Sequence, residues 1–330
     1  MSTLITGSGL IGCHTARLLA ERDEAVVLLD QRPAREAIAD IVSSPLVSVV
    51  QGDVTDFESM LHLCEQHAVG RIVHTAALLS TAIRVSPLDG IRVNVMGTAN
   101  VLEIARRLDV RRTVISSSST VGYKAFVDFH GEAFPEDFPM RSLSHRPGSI
   151  YAAAKTAAEH FSALYRDLYG VDVVALRYAA VISAWRGPGT SVPGRLLSSL
   201  LGPARLGTVA VIDDPFIVWQ GGEEFVDARD CASANVAALD AQTASQGVYH
   251  VSTGVLNSFD DFMAAVRSLC PALQVQVESK PTGGFAGFPH VRHFASDISA
   301  ARRELGWSPA YTLADSIAHY APLLGLEAQA

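Results

Sequence analysis

Residues 2–12 read Ser2-Thr3-Leu4-Ile5-Thr6-Gly7-Ser8-Gly9-Leu10-Ile11-Gly12: a short apolar run, then three glycines spaced GxGxxG, then the start of a helical pattern. The first glycine permits a tight turn. The second lets the backbone approach a pyrophosphate, and the third lets a helix pack on the preceding strand. Leu10 and Ile11 open that helix, whose unpaired N–H groups and dipole favour a phosphate. GxGxxG alone is a weak signal. Asp30, closing the next apolar run "AVVLLD", strengthens it, because a carboxylate there accepts from ribose hydroxyls. Together these residues predict a bound dinucleotide.

Outward from this segment, two periodicities alternate. Short β-branched runs ("TLIT", "AVVLLD", "VSVVQGD", "RIVHTAA", "RTVISSS") are separated by stretches of helical spacing ("LIGCHTARLLAERD", "DFESMLHLCEQHAV", "IRVNVMGTANVLEIARRLDV"). Strand and helix in turn imply βαβ units and a parallel sheet covered on both faces. The fold class expected is α/β, a Rossmann-type doubly wound parallel sheet over 1–178. "VDVVALRY" adds a strand, and one near 247–252 completes the sheet. Residues 179–330 then form mainly a smaller, discontinuous substrate lobe. The Gly- and Pro-rich stretches "SAWRGPGTSVPGR" and "ESKPTGGFAGFPH" read as its loops.

Composition narrows the function. The 330 residues are 48% hydrophobic and 18% charged with a formal net charge of −8, a globular and acidic balance. No basic run points to nucleic acid, and an acidic surface disfavours anionic membranes. The four cysteines are far apart, which argues against a disulfide scaffold or zinc site and for a reducing compartment. His290 and His293 lack an acidic or cysteine partner and read as structural, so no metal is expected. No basic and apolar leader precedes the first glycines, and no apolar stretch is long enough to span a bilayer. The expected location is the cytoplasm.

Other strand ends point at the same edge as the glycines. Asp53 and Val54, in "QGDVTD", lie where an adenine would rest, although Asp53 also reads as a helix cap or turn residue. Ala76 and Ala77, in "HTAA", are small where a backbone must approach the cofactor. Asp30 favours NAD over NADP by repelling a 2′-phosphate. Arg32, two residues on, is either a solvated charge or a group that softens this preference. In "GSIYAAAKTAAEH", Tyr151 and Lys155 stand four apart and so share one helix face. Taken alone, a surface lysine beside a half-buried tyrosine is the commoner meaning. After a dinucleotide fold and a serine-rich strand end, the same pair becomes a proton-transfer set, with the ammonium expected to favour the phenolate.

The chain resembles the extended short-chain dehydrogenase/reductase family, the NAD-dependent epimerase/dehydratase group, from Thr6 to about Tyr311. The resemblance rests on Thr6 before the glycines, "VNVMGTANVLEIAR", the serine-rich strand end, YxxxK, "GVDVVALRY", "EEFVDARDCA" and "SAARRELGWSPAYTL". It implies Tyr151 as acid and base, and Lys155 as the group that holds the nicotinamide ribose and lowers the tyrosine pKa. It implies Ser118 at the reacting oxygen with Ser117 as the fallback, Asn94 near the cofactor, and a homodimer built through a four-helix bundle. Departures are equally informative. "TGSGLIG" is one residue shorter than the family's TGxxGxxG, and Gly122-Tyr123 reverses its Tyr-Gly. Ser119 and Thr120 stand where dehydratases carry Asp-Glu. Ala180 replaces an asparagine that contacts the substrate diphosphate, Glu223 and Glu224 stand where an arginine is usual, and a second arginine of the family is replaced around Gly287, although Arg292 is close by.

These departures remove the charge-assisted contacts that hold a diphosphate. The reading they favour is an NAD-dependent oxidoreductase for a small polar substrate, sugar-like or a hydroxy acid. Arg141, His145 and Arg146, and the hydroxyls of Ser117 and Ser119, are candidate substrate contacts; solvated loop charges are the plainer alternative for the three cations. A nucleotide-sugar 4-epimerase is the second reading, and a non-catalytic NAD-sensing regulator the third. The intact Ser118, Tyr151 and Lys155 argue against the regulator. A serine hydrolase lacks its GxSxG elbow.

Overall fold

A computed structural model describes residues 1–187 and 191–325. Seven strands form one parallel sheet: β1 (Ser2–Thr6), β2 (Val26–Asp30), β3 (Val47–Gln51), β4 (Val69–His74), β5 (Arg112–Ser118), β6 (Val173–Tyr178) and β7 (Val248–Val251). Their spatial order is β3-β2-β1-β4-β5-β6-β7, so the direction of winding reverses between β1 and β4. Every residue of β1, β5 and β6 is buried, which is why those strands read as unbroken runs rather than alternating ones.

Among the helices that frame the sheet and the smaller lobe are α1 (Leu10–Ala20), α2 (Gly97–Arg107), α3 (Ile150–Tyr169), α4 (Val192–Leu206) and α5 (Ala228–Asp240). One core, with Ile5, Leu28, Val114 and Leu176, lies under α1 and α5. The other, with Leu4, Ile72, Val101 and Ile104, lies under α2 and α3. The 20-residue α3 is sharply bounded. Ser149 caps its start by accepting from Ala152 N at 3.1 Å, and Gly170 ends it in the left-handed region at φ +70°. Buried Ala152, Ala154 and Ala158 let it lie close to the sheet.

The smaller lobe has its own core of Leu196, Leu200, Trp219, Phe225, Phe262 and Ile317. It is discontinuous, because α5 and β7 return to the main sheet between its two parts. A stretch of the first half also joins it: Ala133–Phe134 pairs with Ala295–Ser296, and Phe126, Phe129 and Phe134 pack on Phe294. One expected loop is partly a helix. In "SAWRGPGTSVPGR", residues 188–190 lie outside the described residues, but Val192 onward is α4. Ser191 caps it and Pro193 fills its first turn, where a missing N–H costs nothing, and the following leucines face the lobe core.

Candidate functional site

The carboxyl ends of β1, β2, β4 and β5 gather the predicted residues on one edge. Gly7 turns the chain at φ +88°, and a Cβ there would lie 2.7 Å from the Ala76 nitrogen. A Cβ on Gly12 would lie 2.0 Å from the Gly7 carbonyl oxygen. These two glycines are forced by the protein's own packing. Gly9 is different: it caps α1 without a side chain, and its Cβ would meet nothing within 4 Å. Open space over the first N–H groups of a helix fits an approaching pyrophosphate. The close approach expected of "HTAA" is thus between Ala76 and the glycine turn itself; Ala77 follows it, partly exposed.

Asp30 is aimed by two backbone bonds, accepting from Ser8 N and Arg32 N at 2.8 Å each. The remaining lone pairs of its carboxylate fit a ribose diol, so the residues present suit a dinucleotide. Arg32 is exposed and contributes its backbone N–H to this arrangement. Asp53 is a turn residue. It accepts from Thr55 N and Gln31 Nε2, while Asp56 caps the next helix. Val54 is buried beneath Gly97, with its carbonyl held by Asn100. Asn94 is buried in a π-helical turn, Arg92–Met96, and grips the backbone of Leu78 through both its amide atoms. It therefore holds the chain that follows β4.

Tyr151, Lys155 and Glu159 form one stripe along α3. Lys155 is buried and donates to the Ser116 carbonyl at 2.7 Å and the Ser116 hydroxyl at 3.3 Å. Its ammonium stands 5.8 Å from the Tyr151 ring centre. Burial lowers its pKa to about 8, with Glu159 opposing the shift. Burial pushes the Tyr151 phenol up to about 12, and a hydrogen bond with Ser118 offsets part of the rise. Desolvation outweighs that bond, and the balance of the two favours the protonated phenol. Ser118 accepts from Thr120 N and Thr120 Oγ1, which fixes its hydroxyl at the strand end.

The other candidate contacts are engaged elsewhere. Ser117 donates to Glu159, which is locked into a buried bidentate pair with Arg177 of β6. Arg141 and the buried His145 both hold Asp128, and Arg146 donates to the Leu143 carbonyl. Ser119 donates to the Tyr123 hydroxyl at 3.3 Å, and Tyr123 donates to Glu223 at 3.1 Å. Glu159 escaped the sequence reading, although it stands four residues beyond Lys155 in the same quoted stretch; Tyr123 was noted only for its reversed order with Gly122, not for its tie to Glu223.

The departures near Glu223 resolve into one cluster. Arg292 is buried and pairs with both Glu223 (3.2 Å) and Glu224, and it also donates to Ser296. Gly287 stands at φ +73° against the Phe216 ring, and a Cβ there would clash with it.

A model of the NAD dependent epimerase/dehydratase family matches residues 3–252. The chain is 30% identical over 326 residues to a UDP-glucose 4-epimerase of Mycolicibacterium smegmatis, covering 96% of each chain. It is 26% identical to UDP-glucuronate 4-epimerase 4 of Arabidopsis thaliana, over 94% of this chain and 72% of that one. Among solved structures, a partial-consensus L-threonine 3-dehydrogenase superposes with a TM-score of 0.80 at 23% identity, covering 98% of this chain and 100% of that one. UDP-glucose 4-epimerase of Thermus thermophilus, solved with NAD, gives 0.75 at 25% identity, over 97% of this chain and 99% of that one. A glycine turn that leaves open space at Gly9, an aimed Asp30, the Ser118–Tyr151–Lys155 set and a match that spans most of the chain agree: this is an enzyme of the NAD dependent epimerase/dehydratase family, in the extended short-chain dehydrogenase/reductase group, and NAD is its cofactor.

Proposed function

We propose that the protein is an NAD-dependent oxidoreductase acting on a small polar alcohol or its ketone, without a nucleotide diphosphate. The observation that carries this reading is the state of Arg292. It is buried between two carboxylates and has no charge left for a phosphate. A carboxylate about 5 Å from a phosphate costs on the order of 3 kcal/mol at an effective dielectric near 20. The fold also serves a dehydrogenase whose name gives L-threonine, a small substrate.

In this reading the Ser118 hydroxyl holds the reacting oxygen beside Tyr151. The protonated phenol gives its proton to a ketone oxygen; in the reverse direction the phenolate takes it from an alcohol. Lys155, fixed on Ser116, keeps a positive charge beside that exchange. NAD supplies the hydride-accepting carbon and, when oxidised, a second positive charge that favours the phenolate. The second reading, a UDP-sugar 4-epimerase, is favoured by the names of the sequence relatives. It uses the same three side chains with no net redox change.

The test is NADH formation from NAD⁺ with aldoses, aldonates, polyols and hydroxy acids, beside UDP-sugars, with Tyr151→Phe as control. NADH with a small substrate, lost in the variant, supports the oxidoreductase. Interconversion of UDP-sugars without NADH overturns it.

We further propose a homodimer through α2 and α3. Phe161, Leu164 and Leu168 are exposed at helical spacing on α3, with Met96 just before α2. The four free cysteines fit a reducing compartment such as the cytoplasm.

A further inference from the structure

Ser116, Ser117 and Ser118 end β5, and each meets a different residue of the α3 stripe. Ser118 bonds Tyr151, Ser116 accepts from Lys155, and Ser117 donates to Glu159. A spacing of four along α3 puts the three residues on one face, one turn apart. Glu159 has no part in the proton exchange of Tyr151, yet its carboxylate is closely held. Arg177 Nε and Nη2 donate to it at 2.8 and 2.7 Å, and Arg177 Nη1 donates to the Glu136 carbonyl at 2.8 Å. Both side chains are 7% exposed. Ser117 and Arg177 are in register on neighbouring strands, so one carboxylate ties α3 to β5 and β6 at once. Replacing a buried ion pair by apolar groups is often neutral or stabilising, so a clamp alone does not require the charge. Its place, one turn beyond Lys155, gives the charge a second use.

The Ser116 groups that accept from Lys155 are a carbonyl and a hydroxyl, both neutral. Burial works against the ammonium charge, and Glu159 works for it. The other charged or titratable groups around Lys155 do not take this part. His74 of β4 is buried, bonded to Thr6 and Thr98, and lowered to about 3, so it is neutral. Tyr151 holds its proton, and Arg177 is spent on Glu159 and Glu136. On the segments that pack along α3, Arg84, Asp89 and Arg92 are exposed, and Glu103 is spent on Arg106 and Arg107. We propose that Glu159 is a positioning residue for the reaction: clamped by Ser117 and Arg177, its carboxylate keeps the Lys155 ammonium charged beside Tyr151. This inference rests on the role given to Lys155 in the proposed reaction, which the oxidoreductase and epimerase readings share.

The chain has three lysines, Lys124, Lys155 and Lys280, so the ionisation of Lys155 can be followed directly. The full chain, labelled with carbon-13 at lysine Cε, is titrated by NMR, and Lys124→Arg and Lys280→Arg assign the signals. Glu159→Gln keeps the size and a partner for Ser117 but removes the charge. Its Lys155 midpoint is expected about one pH unit below that of the unmodified protein. A merely structural role gives the opposite sign: a loosened α3 admits water, and the midpoint rises towards the ordinary lysine value of about 10.4. Because the glutamine strands Arg177, the double variant Glu159→Gln with Arg177→Gln is titrated beside it. No charge is stranded there, and a fall is again expected. An unchanged or higher midpoint in the single variant, or in the double where the single does not fold, overturns the proposal. The pH above which kcat falls, read with the substrate that the NADH and UDP-sugar screen identifies, is expected to move down by the same amount. A limb that stays put while the midpoint falls overturns the role in the reaction. The NMR titration uses no substrate, so its outcome is separate from the fate of the oxidoreductase reading.

Discussion

At the scale of single residues, the centre depends on two buried positive groups that the protein treats differently. Lys155 spends its ammonium on Ser116, whereas Arg177 spends its guanidinium on Glu159. In the proposed reaction Tyr151→Phe removes the exchanged proton together with the Ser118 hydrogen bond; a fall in kcat of about 10²–10⁴ with NADH affinity unchanged is expected from steady-state assays and fluorescence titration. Glu159→Ala strands Arg177 in the core. A loss of about 3–5 kcal/mol is expected in urea unfolding, the usual cost of breaking a buried pair from one side. His14 gives the opposite sign. Both its ring nitrogens are buried without a hydrogen-bond partner among the described residues, so His14→Leu should raise the urea midpoint, the polar desolvation being relieved at similar volume.

At the scale of elements, the β1–α1 turn separates two kinds of glycine, and substitution distinguishes them. Gly9→Ala meets open space, so unfolding should be unchanged while NADH affinity falls at least tenfold. Gly12→Ala drives a Cβ into the Gly7 carbonyl, so stability and binding should fall together. Thermal melts paired with NADH titration read both. These elements were the most legible in the sequence: β5 was read residue for residue, and α1, α3 and the parallel winding followed from period and punctuation. The start of α4 was hidden because Pro193 and Gly194 read as a loop, while Ser191 and the leucines beyond them carry the helix. At the site, Tyr151, Lys155 and Asp30 were legible because their spacing is local. The ties of Glu223 to Arg292 and Tyr123 were not, since nothing local links residues some seventy or a hundred positions apart.

At the scale of the whole molecule, three buried histidines set an acid limit. Burial lowers His14 to about 4 and both His74 and His250 to about 3. A depressed histidine is neutral when folded, and the unfolded chain takes the proton first, near pH 6.5. The stability they allow is intact above pH 6.5 and is lost as pH falls towards 4, by about 2 kcal/mol for each at pH 5. Glu136, Glu223 and Asp230, raised by burial, act in the opposite direction and soften the slope. Urea midpoints should therefore drop between pH 7 and pH 5, and less so in His14→Leu. The exposed α3 face makes a second prediction at this scale. Leu164→Glu with Leu168→Glu should convert the proposed dimer to a monomer in light scattering, because two buried carboxylates would oppose their symmetry mates.

The sharing of Arg292 between Glu223 and Glu224 also constrains how such a protein can evolve. A lone change of Glu223 to arginine places two buried guanidinium groups against one carboxylate. A lone loss of Arg292 leaves two carboxylates facing each other. Either first step costs about 3–5 kcal/mol, a large part of a domain's total stability. The two positions are therefore epistatic, each purging variation at the other. A change that frees an arginine at this cluster requires a coupled double change or a prior stabilising substitution elsewhere. The cluster is preserved by the shape of the mutational landscape as well as by selection on activity.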